Sequence, residues 1–177
     1  MASRSDSSQW VIAAPQTIPY GHPHRTFGQM CRKVINTIFS HWAYVCPSNG
    51  LRIQLHRWRG CHIGKGVYIG RYCMLDNMYP ELIYIYDGVS INAQSMILTH
   101  FNPFEVWKGI FNAEAKPVVI GKDAIVAVRC TIMPGVTIGE RAVVSSGCIV
   151  ENDVPACHMV QAANKLKSID LTGLIQK

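Results

Sequence analysis

A branched apolar residue returns at every sixth position through IGKDAIVAVRCTIMPGVTIGERAVV, residues 120–144: Ile120, Val126, Ile132, Ile138 and Val144. An amphipathic helix repeats near 3.6 residues and a strand near 2, so a strict period of six needs a larger unit made of short strands and corners. The phase continues to Val150, and earlier sets hold Ile63, Ile69, Leu75 and then Ile85, Ile91, Ile97. A short residue often follows directly (Gly64, Gly70, Gly121, Ala127, Gly139, Ser145). A small or β-branched residue stands four positions on (Val67, Cys73, Val89, Ser95, Ala124, Cys130, Val136, Ala142, Cys148, Val154). Hexapeptide periods of this kind build parallel β-helices.

One hexapeptide supplies a strand and a corner, and three of them close a triangular coil of 18 residues. The hydrophobe and the small residue point inward, and the narrow interior limits their size. Stacking then sets Ile120 beneath Ile138, Val126 beneath Val144 and Ile132 beneath Val150, each coil bonding to the next as a parallel sheet. Cys73, Cys130 and Cys148 fall on inward positions and read first as core fillers. Two interruptions break the phase. Leu75 to Ile85 spans ten residues, an insertion of four around Tyr79 and Pro80, and Ile97 to Ile120 spans 23, an insertion of 17 within a loop at 99–117. Without the four-residue insertion Leu75 and Ile97 stand one coil apart, which places Asp76 and Asn77 beside Leu98 and Thr99. A loop as long as 99–117 in a compact domain is usually functional.

Ahead of the repeat, FGQMCRKVINTIFSHWAYV sets Phe27, Met30, Cys31, Val34, Ile35, Ile38, Phe39 and Trp42 at the spacing of one helical face. Thr26 with Gln29 reads as a capping box, and the helix is expected to pack against the repeat domain. The resulting organisation is an N-terminal extension with an amphipathic helix (1–55), a β-helix domain (56–155) and a C-terminal tail (156–177).

Composition narrows the class of protein. Hydrophobic content of 49% with 16% charged residues over 177 residues reads as one main globular domain. The net charge of +6 is uneven: residues 1–71 carry nine Lys and Arg against one acid, Asp6. A basic front end suits anionic lipid, an acidic glycan or a phosphorylated carrier, and equally a plain solvated surface. No nucleic-acid-binding module is recognisable. The first 25 residues lack the apolar core of a signal peptide, and VINTIFSHWAYV is shorter than the ~20 residues of a membrane span. A cytoplasmic protein, peripheral at most to the inner membrane face, is expected. Seven cysteines without paired spacing read as reduced thiols.

VIGKDAIVAVRCTIMPGVTIGERAVVSSGCIVENDVPACHMVQAANKLK resembles the signature half of the hexapeptide acyltransferases: a VIG run, PGVTIG, a small-residue stretch, a VP turn and a GNPAK-like tail. LRIQLHRWRGCHIGKGVYIG looks like the approach to the first coil in the sugar O-acetyltransferase branch, beside the maltose and galactoside enzymes. The resemblance spans about residues 50–167. It implies an all-β fold: a left-handed parallel β-helix, triangular in section, with an N-terminal α-helix and a short C-terminal tail. It also implies a homotrimer with active sites between neighbouring prisms and acetyl coenzyme A as donor.

In that family a histidine at the position of His100, in ILTHFNP, acts as general base on the acceptor hydroxyl, and a positioned base of this kind contributes about 100 to 10,000-fold. By register, Asp76 and Asn77 are expected to hold a sugar acceptor or orient that base, or to form no more than a corner turn. Asn92 is placed with the substrate, as are Glu105 and Trp107 in the long loop, although simple packing accounts for those two as well. The donor is expected along a column of small residues, Asn92, Ala127, Ser145 and Ser146, next to Val128. Asn164, Lys165 and Lys167 match the tail that meets the adenosine phosphates in relatives. Ala127, Val128 and Arg129 stand where relatives commonly carry Gly, Ala and Gly, and Tyr86 replaces the usual glycine after Ile85, with a distorted corner expected there. The expected activity is O-acetylation of a sugar or glycan precursor, free or lipid-linked, with no metal ion. Rivals are an amino sugar or antibiotic acceptor and a non-catalytic binding or assembly module. A zinc hydrolase on the same fold would need three converging histidines, and only His100 lies in the relevant region.

Overall fold

The computed structural model describes residues 10–19, 27–108 and 110–162. It opens with a two-residue strand, β1 (Gln16–Thr17), followed by two helices, α1 (Phe27–Val45) and α2 (Asn49–Arg59). The strands β2 (His62–Ile63), β3 (Tyr68–Ile69) and β4 (Met74–Leu75) then form a first coil, and β5 (Ile83–Ile85), β6 (Ser90–Ile91) and β7 (Met96–Ile97) a second. β8 (His100–Phe101) and β9 (Glu114–Ala115) lie in the long loop. Two more rounds follow: β10 (Val118–Ile120), β11 (Ile125–Val126), β12 (Thr131–Ile132), then β13 (Thr137–Ile138), β14 (Val143–Val144), β15 (Ile149–Val150), and last β16 (Met159–Val160).

Successive strands join three parallel ladders in turn: β2-β5-β10-β13, β3-β6-β11-β14-β16 and β4-β7-β12-β15. The register is the one the hexapeptide phase predicts. Ile63 pairs with Ile85, Ile85 with Ile120 and Ile120 with Ile138; Leu75 pairs with Ile97 across the four-residue insertion. All of these residues are fully buried, and the small residues four positions on, from Val67 to Val154, fill the same core at 6% exposure or less. The interior thus removes water from a continuous column of apolar side chains, at roughly 25 cal/mol per Å². Coils approach closely where glycine follows the hydrophobe: a Cβ on Gly70 would stand 2.5 Å from the Ala93 nitrogen, and one on Gly139 2.3 Å from that of Ala156. At Tyr86 the ladder hydrogen bond to Ile120 O is kept at 2.9 Å and the ring meets Trp10 edge-on, so the expected distortion of that corner is absent from the ladder.

The observed elements differ from the expected divisions at two boundaries, and the long loop carries strands of its own. The N-terminal extension holds two helices, and the division at residue 55 falls inside α2. The repeat domain runs past residue 155, because β16 pairs with β14. The 99–117 loop is locally ordered: β8 and β1 flank β9 in a three-stranded antiparallel sheet. Thr26, half of the expected capping box, lies outside the described residues.

α2 covers the open end of the first coil. A terminal coil leaves unpaired strand carbonyls, which must find donors if they are buried. Three arginines supply them: Arg57 donates to Ile63 O at 2.9 Å and Gly64 O at 2.7 Å, Arg52 to Ile69 O, and Arg59 to Leu75 O at 3.2 Å. Each therefore serves the end of one ladder, at β2, β3 and β4, while Ile53 plugs the core between them. The helix starts at Ser48, whose hydroxyl accepts from Leu51 N–H, and ends at Gly60, whose φ of 112° allows its N–H to reach Arg57 O.

α1 departs from expectation. Its packed face is Asn36 and Ala43, and the predicted apolar face points outward, with Phe27 82%, Val34 57% and Trp42 63% exposed.

Candidate functional site

The ladder pairing of Leu75 with Ile97 carries the two residues that follow each strand to one place. Asp76 N–H bonds Ile97 O at 2.9 Å, and three residues on from Ile97 the chain leaves the coil at His100, the first residue of β8. Asp76 is 3% exposed and its carboxylate is fully partnered. Oδ1 accepts from the N–H groups of Met78 (2.7 Å) and Tyr79 (3.2 Å), and Oδ2 accepts from Thr99 N–H (2.9 Å) and His100 Nδ1 (2.6 Å). Burial raises the cost of the Asp76 charge, but the bonds from His100, Thr99 and Met78 outweigh it and hold the carboxyl at about 2. Its ordinary value is 3.8, so it is a carboxylate at neutral pH.

A carboxylate accepts only, so the proton between the two groups sits on Nδ1 and the lone pair of the neutral ring sits on Nε2. The His100 side chain is 25% exposed, and the Tyr79 ring meets it edge-on with centroids 5.5 Å apart. An imidazole fixed in this tautomer can take a proton at Nε2 while the anion at Nδ1 stabilises the imidazolium that forms.

The dyad has a support that apolar periodicity passes over. Arg59 Nη2 donates to Asp76 O at 2.6 Å and Asn77 Oδ1 at 3.3 Å, and Asn77 Nδ2 reaches Thr37 Oγ1 of α1 at 3.0 Å. Arg59 Nη1 donates to His56 Nδ1 at 2.8 Å. The available signal was a run of basic residues, RIQLHRWR, leading into a coil without any acid nearby.

Burial, followed by the charges of Arg59 and Arg52, pushes the His56 imidazole from its ordinary 6.5 down to about 3. The unfolded chain takes up this proton near pH 6.5 and the folded chain does not. The stability is therefore full above about 6.5 and is lost as pH falls toward 3; Asp76 adds a loss in the same direction between 3.8 and about 2. His56 alone predicts a drop of about 2 kcal/mol between pH 7 and pH 5. Urea midpoints at the two pH values check it, and a midpoint that stays put or rises at pH 5 would sink the assignment.

The other expected site residues divide. Asn92, Ala127 and Ser145 do stack, each following a strand of one ladder, with N–H bonds to Val126 O, Val144 O and Val160 O. Asn92 Nδ2 also donates to Val126 O at 3.0 Å. Ser146 and Val128 are exposed beside them, and Arg129 takes the corner at φ 58°, its Nε donating to Gln94 Oε1 at 2.8 Å. Glu105 is exposed on the 3₁₀ turn Glu105–Trp107, and the partner of His100 Nδ1 is Asp76. The Trp107 side chain and Asn164, Lys165 and Lys167 lie outside the described residues. All seven cysteines are free, and burial raises the thiols of Cys61 (to about 12), Cys73 and Cys130, which suits filler rather than nucleophile.

Comparison with known proteins places this architecture. The family model described as bacterial transferase hexapeptide (six repeats) matches residues 117–152. "Putative acetyltransferase YvoF" of Bacillus subtilis (strain 168) is 30% identical over 153 residues, 84% of this chain and 77% of that protein. Among solved structures, a hexapeptide-repeat containing acetyltransferase of Vibrio cholerae O1 biovar eltor, complexed with acetyl coenzyme A, superposes with a TM-score of 0.58 at 21% identity, covering 78% of this chain and 86% of that one. A maltose O-acetyltransferase of Clostridium difficile 630 gives a TM-score of 0.58 at 19% identity, covering 76% and 83%. The two structures speak for the fold, and the Bacillus relative, which spans most of both sequences, speaks for descent: this chain belongs to the hexapeptide-repeat acetyltransferases.

Proposed function

We propose that the protein transfers the acetyl group of acetyl coenzyme A to a hydroxyl of a sugar or glycan precursor, with His100 as general base. The observation that carries this reading is the buried Asp76 carboxylate 2.6 Å from His100 Nδ1, at the root of the long loop, in a family of acetyltransferases. In this scheme His100 Nε2 takes the hydroxyl proton as the acceptor oxygen bonds to the acetyl carbon, and returns it to the departing sulfur. Asp76 stays ionised and balances the imidazolium between the two transfers. Acetyl coenzyme A supplies the thioester, and its acetyl C–S bond breaks to release coenzyme A as the thiol.

The three ladders are read as the faces of a left-handed triangular coil, and the working assembly as a trimer with the donor lying between prisms. The stacked Asn92, Ala127 and Ser145 suit that donor groove, since short side chains let an extended pantetheine arm approach the backbone. Ser146 and Val128 border the same strip. Asn77, held between Arg59 and Thr37, stands next to the dyad and is assigned to the acceptor side with Glu105 and Trp107; Asn164, Lys165 and Lys167 are assigned to the adenosine phosphates. The sugar acceptor draws support from the maltose O-acetyltransferase of the same fold.

The experiment is release of free thiol from acetyl coenzyme A across a panel of free sugars, nucleotide sugars and amino sugars, with product mass and linkage determined. Acetyl esters on a sugar are the expected product. Amides alone would replace the acceptor with an amino sugar, and donor that neither binds nor reacts would return the protein to a binding-module reading.

A further inference from the structure

The outward face of α1 is an apolar surface that nothing in the described chain covers. Phe27, Met30, Val34, Ile35, Ile38, Trp42 and Val45 are each between 49% and 82% exposed. At 100° per residue they form one continuous stripe along the 19-residue helix, and Arg32 and Lys33 border it on opposite sides. The stripe widens at the C-terminal end of α1. There Trp42, Val45, Cys46, Pro47, Leu51 and Leu55, with His41, line a mostly apolar hollow of about 390 Å³. Trp58 of α2, 59% exposed, packs on Phe39 at 5.7 Å at the edge of the helix pair.

Charge names the partner. Residues 27–71 hold seven Lys and Arg and no acid. Arg52, Arg57 and Arg59 are spent on strand carbonyls, which leaves Lys33, Lys65 and Arg71 exposed, together with Arg32, which pairs with Glu81 at 3.8 Å. Arg71 precedes Tyr72, whose N–H bonds Tyr44 O, so it stands by the C-terminal end of α1. A helix with large apolar side chains including tryptophan on one side, flanked by cations, has the make-up of one lying in the interface of an anionic bilayer, with its rings and aliphatic groups among the acyl chains. None of the described helices is long and apolar enough to cross a membrane.

We infer that α1, with Trp58 and the exposed cations beside it, docks the protein on an anionic lipid surface. This stands apart from the acetyl-transfer reading, and its test needs no catalysis. The full chain is mixed with phosphatidylcholine vesicles, with and without phosphatidylglycerol, and binding is read by flotation and by the blue shift of tryptophan emission. The expected result is binding to the anionic vesicles that weakens with salt. Ile38→Glu/Trp42→Glu reduces the partition at least about tenfold, and Lys33→Glu/Arg71→Glu does so by about tenfold as well. All four positions are exposed, so both variants keep the far-ultraviolet circular dichroism of the wild type. Absence of binding to anionic vesicles overturns the proposal, as does binding that both variants retain. A fall in solution mass on Ile38→Glu/Trp42→Glu, without vesicle binding by the wild type, assigns the face to a second copy instead.

Discussion

His100→Ala lowers kcat for acetyl transfer by about 100 to 10,000-fold, the range a positioned general base supplies. The ring is a quarter exposed and lies outside the apolar column, so the fold should survive its removal. Coenzyme A affinity, read by calorimetry, stays within a few fold of wild type, because the proposed base acts on the acceptor oxygen. A rate within threefold of wild type would remove His100 from the mechanism. Loss of rate together with loss of the folded state would leave a structural role instead.

Asp76→Asn is expected to reach a similar loss of rate, on the order of 1,000 to 10,000-fold, and to weaken the fold as well. The carboxylate accepts four hydrogen bonds, three of them from backbone N–H groups that can only donate and the fourth from His100 Nδ1. An amide nitrogen turned toward Met78 and Tyr79 opposes two N–H groups. Turned toward His100 it opposes Thr99 N–H, asks the imidazole to accept at Nδ1, and so moves the ring proton to Nε2, where the base is needed. Either arrangement leaves a buried donor unsatisfied and costs about 1–3 kcal/mol. The two effects separate experimentally: denaturant unfolding measures the second, and kcat at a temperature where the variant is still folded measures the first. Because the pair acts as a unit, the double variant with His100→Ala should be little slower than either single one. Near-wild-type turnover by Asp76→Asn, or fully additive losses, would overturn the pairing as the source of activity.

The dyad is half legible in the sequence. Counting coils with the four-residue insertion removed placed Asp76 and Asn77 beside Thr99, and the family motif marked His100. The count could not say whether Asp76 faced a sugar, a turn or the imidazole, because ladder register sets which backbones are neighbours and leaves side-chain direction open. Two inserted segments, at Tyr79 and at 99–117, decide that direction here: the N–H groups of Met78 and Tyr79 turn Oδ1, and the exit of the chain into β8 brings His100 to Oδ2. The β1-β9-β8 sheet was illegible for a similar reason. Two-residue strands carry no periodicity, and their partners lie far apart in sequence.

The helices show the limit most clearly. Apolar spacing found α1, but the period says only that one face differs from the other, and the body of the protein took the small and polar side, Asn36 and Ala43. The α2 residues resemble an approach to the first coil and carry no apolar stripe, because Arg52, His56 and Arg59 share the buried face with Ile53 and Leu55. Arg52 and Arg59 lie inward on account of the carbonyls at the open end of the β-helix, a demand that exists only once the coil has closed, and His56 lies inward as the acceptor of an Arg59 N–H. The repeat itself was fully written in the order of residues, since each hexapeptide meets a copy of its own environment one coil away. Ladder register, core and inward cysteines follow from that local rule. What happens where the repetition stops, at the capped end, in the loop and on the outer face of α1, is set by contacts between unlike segments, and only the folded chain brings those together.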